Sequence, residues 1–152
     1  MKQKKIIFKE ILSLSKIGHL PFPGLFSTLC AFIVSLIFPK IVILLIIIII
    51  SAFLTLLKSY AKENQQKLIF YIRKDPKEIV LDEFLSFLIV SLFFSKIQEL
   101  ILGVFLLRLI DNSKFYPIRK IEQIKSFYSV FLDDIIAGIY TIIIIKLIFL
   151  FL

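Results

Sequence analysis

The chain has 152 residues, of which 59% are hydrophobic and 17 are phenylalanine, and its mean hydropathy is +0.98. A soluble domain of this size has too little interior to cover so much apolar material, so the composition excludes an ordinary soluble protein and indicates a membrane protein. The net charge of +8 does not point to nucleic acid, because apolar segments separate the basic residues along the chain. Anionic lipid headgroups are the expected counter-charge.

Residues 1–19 combine five lysines with apolar residues at three- and four-residue spacing. This pattern predicts an amphipathic helix on the membrane surface. Residues 18–24 contain two glycines and two prolines, which break that helix. The apolar run that follows is long and has no small-residue cleavage site, so we expect no cleaved signal peptide. The lone Cys30 excludes an intramolecular disulfide.

Five apolar segments predict transmembrane helices at residues 25–38, 41–57, 84–94, 97–110 and 127–152. Even the isoleucine run at 46–50 is predicted to be helical, because a helix in lipid satisfies its own backbone hydrogen bonds. We therefore predict an all-α integral membrane protein, a bundle of about five transmembrane helices with a preceding amphipathic N-terminal helix. The whole of 1–152 is predicted to form a single membrane-embedded domain.

The lysines and arginines give this bundle an orientation. With five spans, sixteen of them fall on one side and only Lys40 and Lys96 on the other, whereas Lys146 lies within a span. The positive-inside rule then places the N-terminus in the cytoplasm. Glu99 lies on the far side. Six other carboxylates lie on the cytoplasmic side or enter the last span from it: Asp75, Asp82, Glu83, Asp111, Asp133 and Asp134.

This topology predicts that the six carboxylates converge on one cytoplasmic-facing pocket. Carboxylates close together cannot all stay ionised without a cation. Mg²⁺ fits such a place, since it prefers oxygen ligands and is usually held by one or two carboxylates and a substrate phosphate. The ion can activate a water or polarise a phosphoryl oxygen. Arg108, Lys114 and Arg119 could meet the other phosphate oxygens.

Plainer explanations exist for the separate parts. Asp82 and Glu83 could only stabilise a helix start, where negative charge meets the positive end of the helix dipole. The basic residues could only anchor the cytoplasmic side. Asp133 and Asp134 are harder to explain in this way, because an acidic pair inside a span is costly. A small ion-coupled or proton-coupled transporter is an alternative function, and it predicts polar groups throughout the membrane depth.

Four blocks in order resemble the phosphatidylglycerophosphatase A family of bacterial inner-membrane lipid phosphatases. The first is the glycine- and proline-rich loop at 18–24. Residues 79–84 match I-V-x-D-E-F, and 108–119 are similar to R-x-x-D-x-x-K-P-x-P-I. Residues 133–138 match D-D-x-x-A-G. The resemblance covers about residues 18–141.

The resemblance implies a Mg²⁺-dependent phosphatase that converts phosphatidylglycerophosphate to phosphatidylglycerol and phosphate. It implies a multi-pass protein of the bacterial inner membrane, with its N-terminus and active site facing the cytoplasm. The catalytic residues would be Asp82, Glu83, Asp133 and Asp134. The metal ligands would be Asp82, Glu83, Asp111 and Asp134, and the substrate contacts would be Arg108, Lys114, Ser27 and Thr28.

The chain also departs from the family pattern. Leu25 stands where the family usually has threonine, so Ser27 or Thr28 would have to supply the hydroxyl group. Ser86 replaces an expected glycine, and Phe115 replaces a proline. These changes leave open a second alternative, a family member that has lost catalysis and acts as a structural subunit. The sequence gives no indication of the oligomeric state.

Overall fold

The computed structural model describes residues 20–60, 80–113, 116 and 129–151. Within them the chain forms helices and no strand, which confirms the all-α prediction. Each of the five apolar segments overlaps one helix. In chain order these are α1 (Pro23–Ile37), α2 (Lys40–Tyr60), α3 (Leu81–Phe93), α4 (Ile97–Ser113) and α5 (Ser129–Phe151). The predicted amphipathic helix at 1–19 lies outside the described residues.

Local sequence explains where α1 and α2 begin and end. Pro23 occupies the first turn of α1, where its missing N–H is not needed. Phe22, just before it, has left-handed backbone angles of φ 60° and ψ 56°, which are strained for a bulky residue. Phe38 is extended before Pro39 and ends α1. The carbonyl of Pro39 then accepts the Ile43 N–H at 3.2 Å as α2 starts.

The start of α3 is acidic. Asp82 and Glu83 lie in its first turn, where carboxylates meet the positive end of the helix dipole, as the sequence predicts. The helix ends before Phe94, which is extended. A short turn leads into α4, and the Glu99 carboxylate accepts the Lys96 N–H at 3.3 Å in the first turn.

The third helix is the centre of the bundle. It packs against each of the other four described helices, most extensively against α5 and α1. Its side chains supply much of the core, which includes Phe87, Leu88, Val90, Ala31, Ile43, Leu107, Ala137 and Ile145. Gly103 of α4 lies against three of these side chains and allows α4 to approach.

Helices α3 and α5 run in the same direction. Ser86 lies beside Gly138, and further along both helices Phe93 lies beside Lys146. Because the residue numbers rise together in the two contacts, the helices are parallel. Their acidic first turns therefore lie at the same end of the bundle.

The prediction of five complete spans is not confirmed. Among the described helices, only α5 is long and apolar enough to cross a membrane, over Phe131–Phe151. The apolar parts of α1 and α2 are shorter, and α3 has only 13 residues. Thirteen helical residues extend about 20 Å, whereas a bilayer's hydrocarbon core is about 30 Å thick. The sequence segments had the right positions, but most of them lack the length of an independent span.

The outer surface of the described bundle is strongly apolar. Large exposed side chains occur on all five helices, among them Ile33, Ile37, Ile41, Ile49, Phe93, Phe105, Leu147 and Leu150. At the same time several polar side chains are buried, including Ser27, Thr28, Asp82, Ser86 and Asp134. Apolar groups outside and polar groups inside are typical of a protein whose surface contacts lipid.

Candidate active site

Five carboxylates from three helices converge at one end of the bundle. They come from the first turn of α3, the last turn of α4 and the beginning of α5. Asp134 lies close enough to interact electrostatically with Asp82, Glu83, Asp111 and Asp133. Asp82 interacts in the same way with Glu83 and Asp133. The structure thus brings together these five residues as the predicted topology requires, whereas Asp75 lies outside the described residues.

Two of the carboxylates are deeply placed. Asp82 is 9% exposed and Asp134 is 7% exposed. A backbone amide offers some compensation to Asp82, whose carboxylate accepts the Glu83 N–H at 2.9 Å. At the start of α5 the amide of Asp134 donates to the carboxylate of its neighbour Asp133 at 3.1 Å. Burying neighbouring negative charges is costly, and this cost is relieved either by protonation of a carboxylate or by a nearby cation.

Arg108 joins three helices at this site. Its Nη1 atom is 2.8 Å from Glu83 Oε1 and 3.7 Å from Asp111 Oδ2. Its Nη2 atom donates hydrogen bonds to the Gly24 carbonyl and to the Thr28 hydroxyl of α1. A guanidinium is suited to this arrangement, because it has five donors in a fixed plane and a permanent charge.

Gly24 makes this arrangement possible. A Cβ atom at position 24 would overlap the Glu83 carboxylate, so only glycine leaves the space that Glu83 occupies. The first block of the sequence, through its glycine, is therefore in direct contact with the second. Gly24 thus lets the backbone at the start of α1 and the Glu83 carboxylate approach each other.

Two atoms of the site have unused hydrogen-bonding capacity. Glu83 Oε2 and Arg108 Nε are both buried and have no hydrogen-bond partner among the described residues. Such atoms in a buried place are costly to leave unsatisfied. One is an acceptor suited to a cation and the other a donor suited to a phosphate oxygen. The site therefore has one free acceptor and one free donor among the described residues, on side chains that lie next to each other.

The two predicted hydroxyl donors are fully buried. Ser27 donates to the Val80 carbonyl at 2.5 Å, which ties α1 to the residue before α3. Thr28 donates to the Gly24 carbonyl at 3.0 Å. Both hydroxyl protons are thus occupied, and a bond to phosphate would require one of these bonds to change. Their role as substrate contacts stays a prediction, and Lys114 lies outside the described residues.

Some functional contacts were missed by sequence reasoning. The Gly24 approach to Glu83 has no signal in the sequence beyond the glycine itself. The sequence also does not predict the hydrogen bond from Ser86 to the Asp134 carbonyl, at 2.5 Å. The four-residue spacing from Asp82 to Ser86 and from Asp134 to Gly138 puts each pair on one helix face, but it does not show that the two faces meet.

The described carboxylates are not arranged as a complete protein-only metal site. Within the described segments, no group of three or more His, Cys, Asp or Glu side chains is placed so that it could hold a metal ion. Mg²⁺ commonly takes only one or two protein carboxylates and completes its shell with water and substrate phosphate. A pair of carboxylates is therefore a sufficient protein contribution.

Comparison with known proteins bears on this arrangement. A family model described as phosphatidylglycerophosphatase A matches residues 11–149. The chain belongs to the phosphatidylglycerophosphatase A family. It is accordingly a phosphatidylglycerophosphatase, a phosphoric monoester hydrolase of phospholipid metabolism. No curated protein and no solved structure matches the chain.

The four sequence blocks that resemble the family pattern meet at one end of the bundle. The four blocks of the phosphatidylglycerophosphatase A pattern are far apart in sequence, and each contributes to the same end of the bundle. Gly24 comes from the first block and Glu83 from the second, while Arg108 comes from the third and Asp134 from the fourth. One residue from each of the four blocks therefore lies at this end of the bundle.

Proposed function

We propose that the protein is a magnesium-dependent lipid phosphatase that hydrolyses phosphatidylglycerophosphate to phosphatidylglycerol and inorganic phosphate. Family membership supports the phosphatase activity. The observation that carries the proposal is the meeting of five carboxylates from three helices beside Arg108. This combination supplies oxygen ligands for a cation and a guanidinium for a phosphate.

The residues that would hold Mg²⁺ are Asp82, Glu83, Asp111 and Asp134. Two of these are buried, and Glu83 Oε2 has no hydrogen-bond partner among the described residues. All of them present oxygen, which is the ligand atom that Mg²⁺ prefers. When bound, the ion would withdraw charge from a phosphoryl oxygen and make a coordinated water more acidic.

Arg108 is proposed to bind the substrate phosphate, with Lys114 as a second cation. A phosphate monoester is repelled by the carboxylates, and the guanidinium offsets this repulsion through charge-assisted hydrogen bonds. Its buried Nε has no partner in the described part of the chain and can donate to a phosphate oxygen. Ser27 and Thr28 lie next to this group, and Thr28 already touches Arg108.

The catalytic set is proposed to be Asp82, Glu83, Asp133 and Asp134. A carboxylate of this set would take a proton as water attacks phosphorus, and the bond from phosphorus to the glycerol oxygen would break. The leaving oxygen would then take up a proton. Burial excludes bulk water from the two deepest carboxylates, which strengthens every charge interaction with the phosphoryl group.

We place the enzyme in the bacterial inner membrane, with the N-terminus and active site on the cytoplasmic side. The uneven distribution of lysine and arginine supports this orientation. The exposed apolar surface supports contact with lipid. A phospholipid could then keep its acyl chains in the bilayer while its terminal phosphate enters the polar end of the bundle. Membrane lipids are the expected partners, and nucleic acid is not.

The proposal is tested by measuring phosphate release from phosphatidylglycerophosphate by the purified protein in detergent. We expect release with Mg²⁺ and none after excess chelator, with activity restored when Mg²⁺ is added again. Equal release in chelator would contradict the metal dependence. Absence of release from folded protein would favour a structural subunit or a transporter, and Leu25→Thr would then be the first variant to examine.

A further inference from the structure

The Ser86 hydroxyl group donates a hydrogen bond to another helix, whereas most described serine and threonine hydroxyl groups donate within their own helix. Its side chain is fully buried in α3, and its Oγ donates to the main-chain carbonyl of Asp134 in α5 at 2.5 Å. The bond therefore crosses between two helices that are far apart in sequence. Its acceptor belongs to one of the two buried carboxylate residues.

Other hydroxyl groups show the ordinary alternative. Ser35, Ser91 and Thr141 each donate to a carbonyl three or four residues earlier in their own helix, at 2.6 to 2.8 Å. Such a bond satisfies the hydroxyl group within its own helix and does not connect that helix to another. Ser86 is also in a helix and could donate to a carbonyl of α3 in the same way. Because it donates to α5 instead, its hydrogen bond joins the two helices.

The contact requires Gly138. A Cβ atom at position 138 would lie 2.9 Å from Ser86 Oγ, closer than side-chain atoms normally approach. Asp134 and Gly138 are one turn apart on α5, and Asp82 and Ser86 are one turn apart on α3. Because the helices are parallel, the Ser86 contact with Gly138 lies one turn below the pair of buried carboxylates.

We propose that Ser86 is a positioning residue for Asp134. Its hydrogen bond fixes the first turns of α5 against α3, and this sets the position of the Asp134 carboxylate relative to that of Asp82. The inference rests on the proposed function, in which these two carboxylates share a magnesium ion. Groups that orient metal ligands typically change metal affinity or activity by about 10-fold to 100-fold when they are removed.

The test compares Ser86→Ala with Ser91→Ala in the full-length protein in detergent. Ser91 is a matched control, because it is a buried serine of the same helix whose hydroxyl bonds within that helix. For Ser86→Ala we expect the Mg²⁺ concentration at half-maximal rate to rise about 10-fold. The KM for the lipid should change little. Ser91→Ala should leave both quantities as they are in the unaltered protein.

A second measurement needs neither metal nor substrate. Amide hydrogen exchange in the metal-free protein should be faster at residues 134–138 in Ser86→Ala than in Ser91→Ala, and unchanged in α2. Equal exchange in the two variants would overturn the proposal. If the unaltered protein releases no phosphate with Mg²⁺, the proposed function fails, and the exchange measurement alone decides the role of Ser86.

Two further variants keep the test decisive if Ser86→Ala does not fold. Ser86→Cys keeps a donor at this position, but a weaker one on a larger atom, so it should shift the same quantities in the same direction. Gly138→Ala should lower the thermal unfolding midpoint more when Ser86 is present than when it is replaced by alanine. Additive effects of the two substitutions would contradict the close contact.

Discussion

The two ends of the helix bundle are held together by different forces. At the carboxylate end, defined by Gly24, Asp82, Arg108 and Asp134, polar groups of different segments bond to one another. Examples are Ser27 to the Val80 carbonyl, Ser86 to the Asp134 carbonyl, and Arg108 to Glu83. At the turn end, defined by residues 93–99 and Lys146, polar groups bond locally and the core is apolar, with Phe94, Leu100 and Ile145 buried.

The difference shows where the fold is most specific. Apolar packing between helices tolerates small shifts and rotations, whereas a buried hydrogen bond between helices is lost when either partner moves. Polar contacts between helices are therefore concentrated at the end where chemistry needs accurate positions. The turn end supplies stability through packing. Substitutions at the two ends should consequently affect different quantities.

The largest expected effect comes from the buried carboxylates. Asp82→Asn and Asp134→Asn should each reduce phosphate release by at least about 100-fold, because each removes a charge from the site without changing its shape. The thermal unfolding midpoint should stay equal or rise, since one of two neighbouring buried negative charges is gone. Glu99→Gln is the matched control at the turn end and should keep full activity. Full activity in both aspartate variants would refute the site.

A smaller effect is expected from a substitution at Gly24. Gly24→Ala places a methyl group where the Glu83 carboxylate lies, so it should break the pair with Arg108 and lower the free energy of unfolding by about 1–3 kcal/mol. Activity should fall about 10-fold, because Arg108 is a proposed phosphate contact and loses its orientation.

Gly103→Ala is the contrasting substitution. Its Cβ would meet neighbouring side chains at 3.5 to 3.6 Å, which is ordinary van der Waals contact. Alanine also favours the helix by up to about 1 kcal/mol over glycine. The unfolding midpoint should therefore stay the same or rise, with activity unchanged. Equal damage from the two glycine substitutions, measured by thermal unfolding and phosphate release, would contradict the special role assigned to Gly24.

The smallest effect is expected at Lys146. Its ammonium group lies 5.3 Å from the centre of the Phe93 ring at the turn end. A cation over an aromatic ring at an exposed position contributes about 0.5–1 kcal/mol, and a methionine there would recover part of it by apolar contact. Lys146→Met should therefore change the unfolding midpoint slightly and leave phosphate release unchanged. A marked loss of activity would mean that the two ends are coupled.

The sequence predicted the order and approximate bounds of the five helices, because apolar runs between charged segments are a direct signal. It also predicted that Asp82 and Asp134 lie at the same end, since helix direction alternates along the chain. It did not predict the contact of Gly24 with Glu83 or the bond from Ser86 to Asp134. Those depend on how far each helix is rotated and how closely two helices approach, and neither quantity is encoded in periodicity alone.

The number of complete spans was also beyond the sequence argument. A short apolar segment can reach the length of a span if flanking residues continue its helix, and the sequence does not show whether they do. In α3 they do not on the C-terminal side, where the helix ends at Phe93 and Phe94 is extended. The sequence predicts Ser27 and Thr28 as hydroxyl contacts to the substrate, but it does not predict their burial, which depends on where α1 packs. The role assigned to Lys114 remains a prediction, since this residue is outside the described part of the chain.

The unequal lengths of α3 and α5 have a consequence for the surrounding lipid. From Asp134 to its last residue, Phe151, α5 extends about 26 Å, whereas from Asp82 to Phe93 α3 extends about 17 Å. With the carboxylates held at one depth, the exposed Ser95 and Lys96 after α3 lie well short of the far side of a bilayer core about 30 Å thick. In the proposed placement, this mismatch is met either by a bilayer that is thinner beside α3 or by the long Lys96 side chain reaching toward the far headgroups.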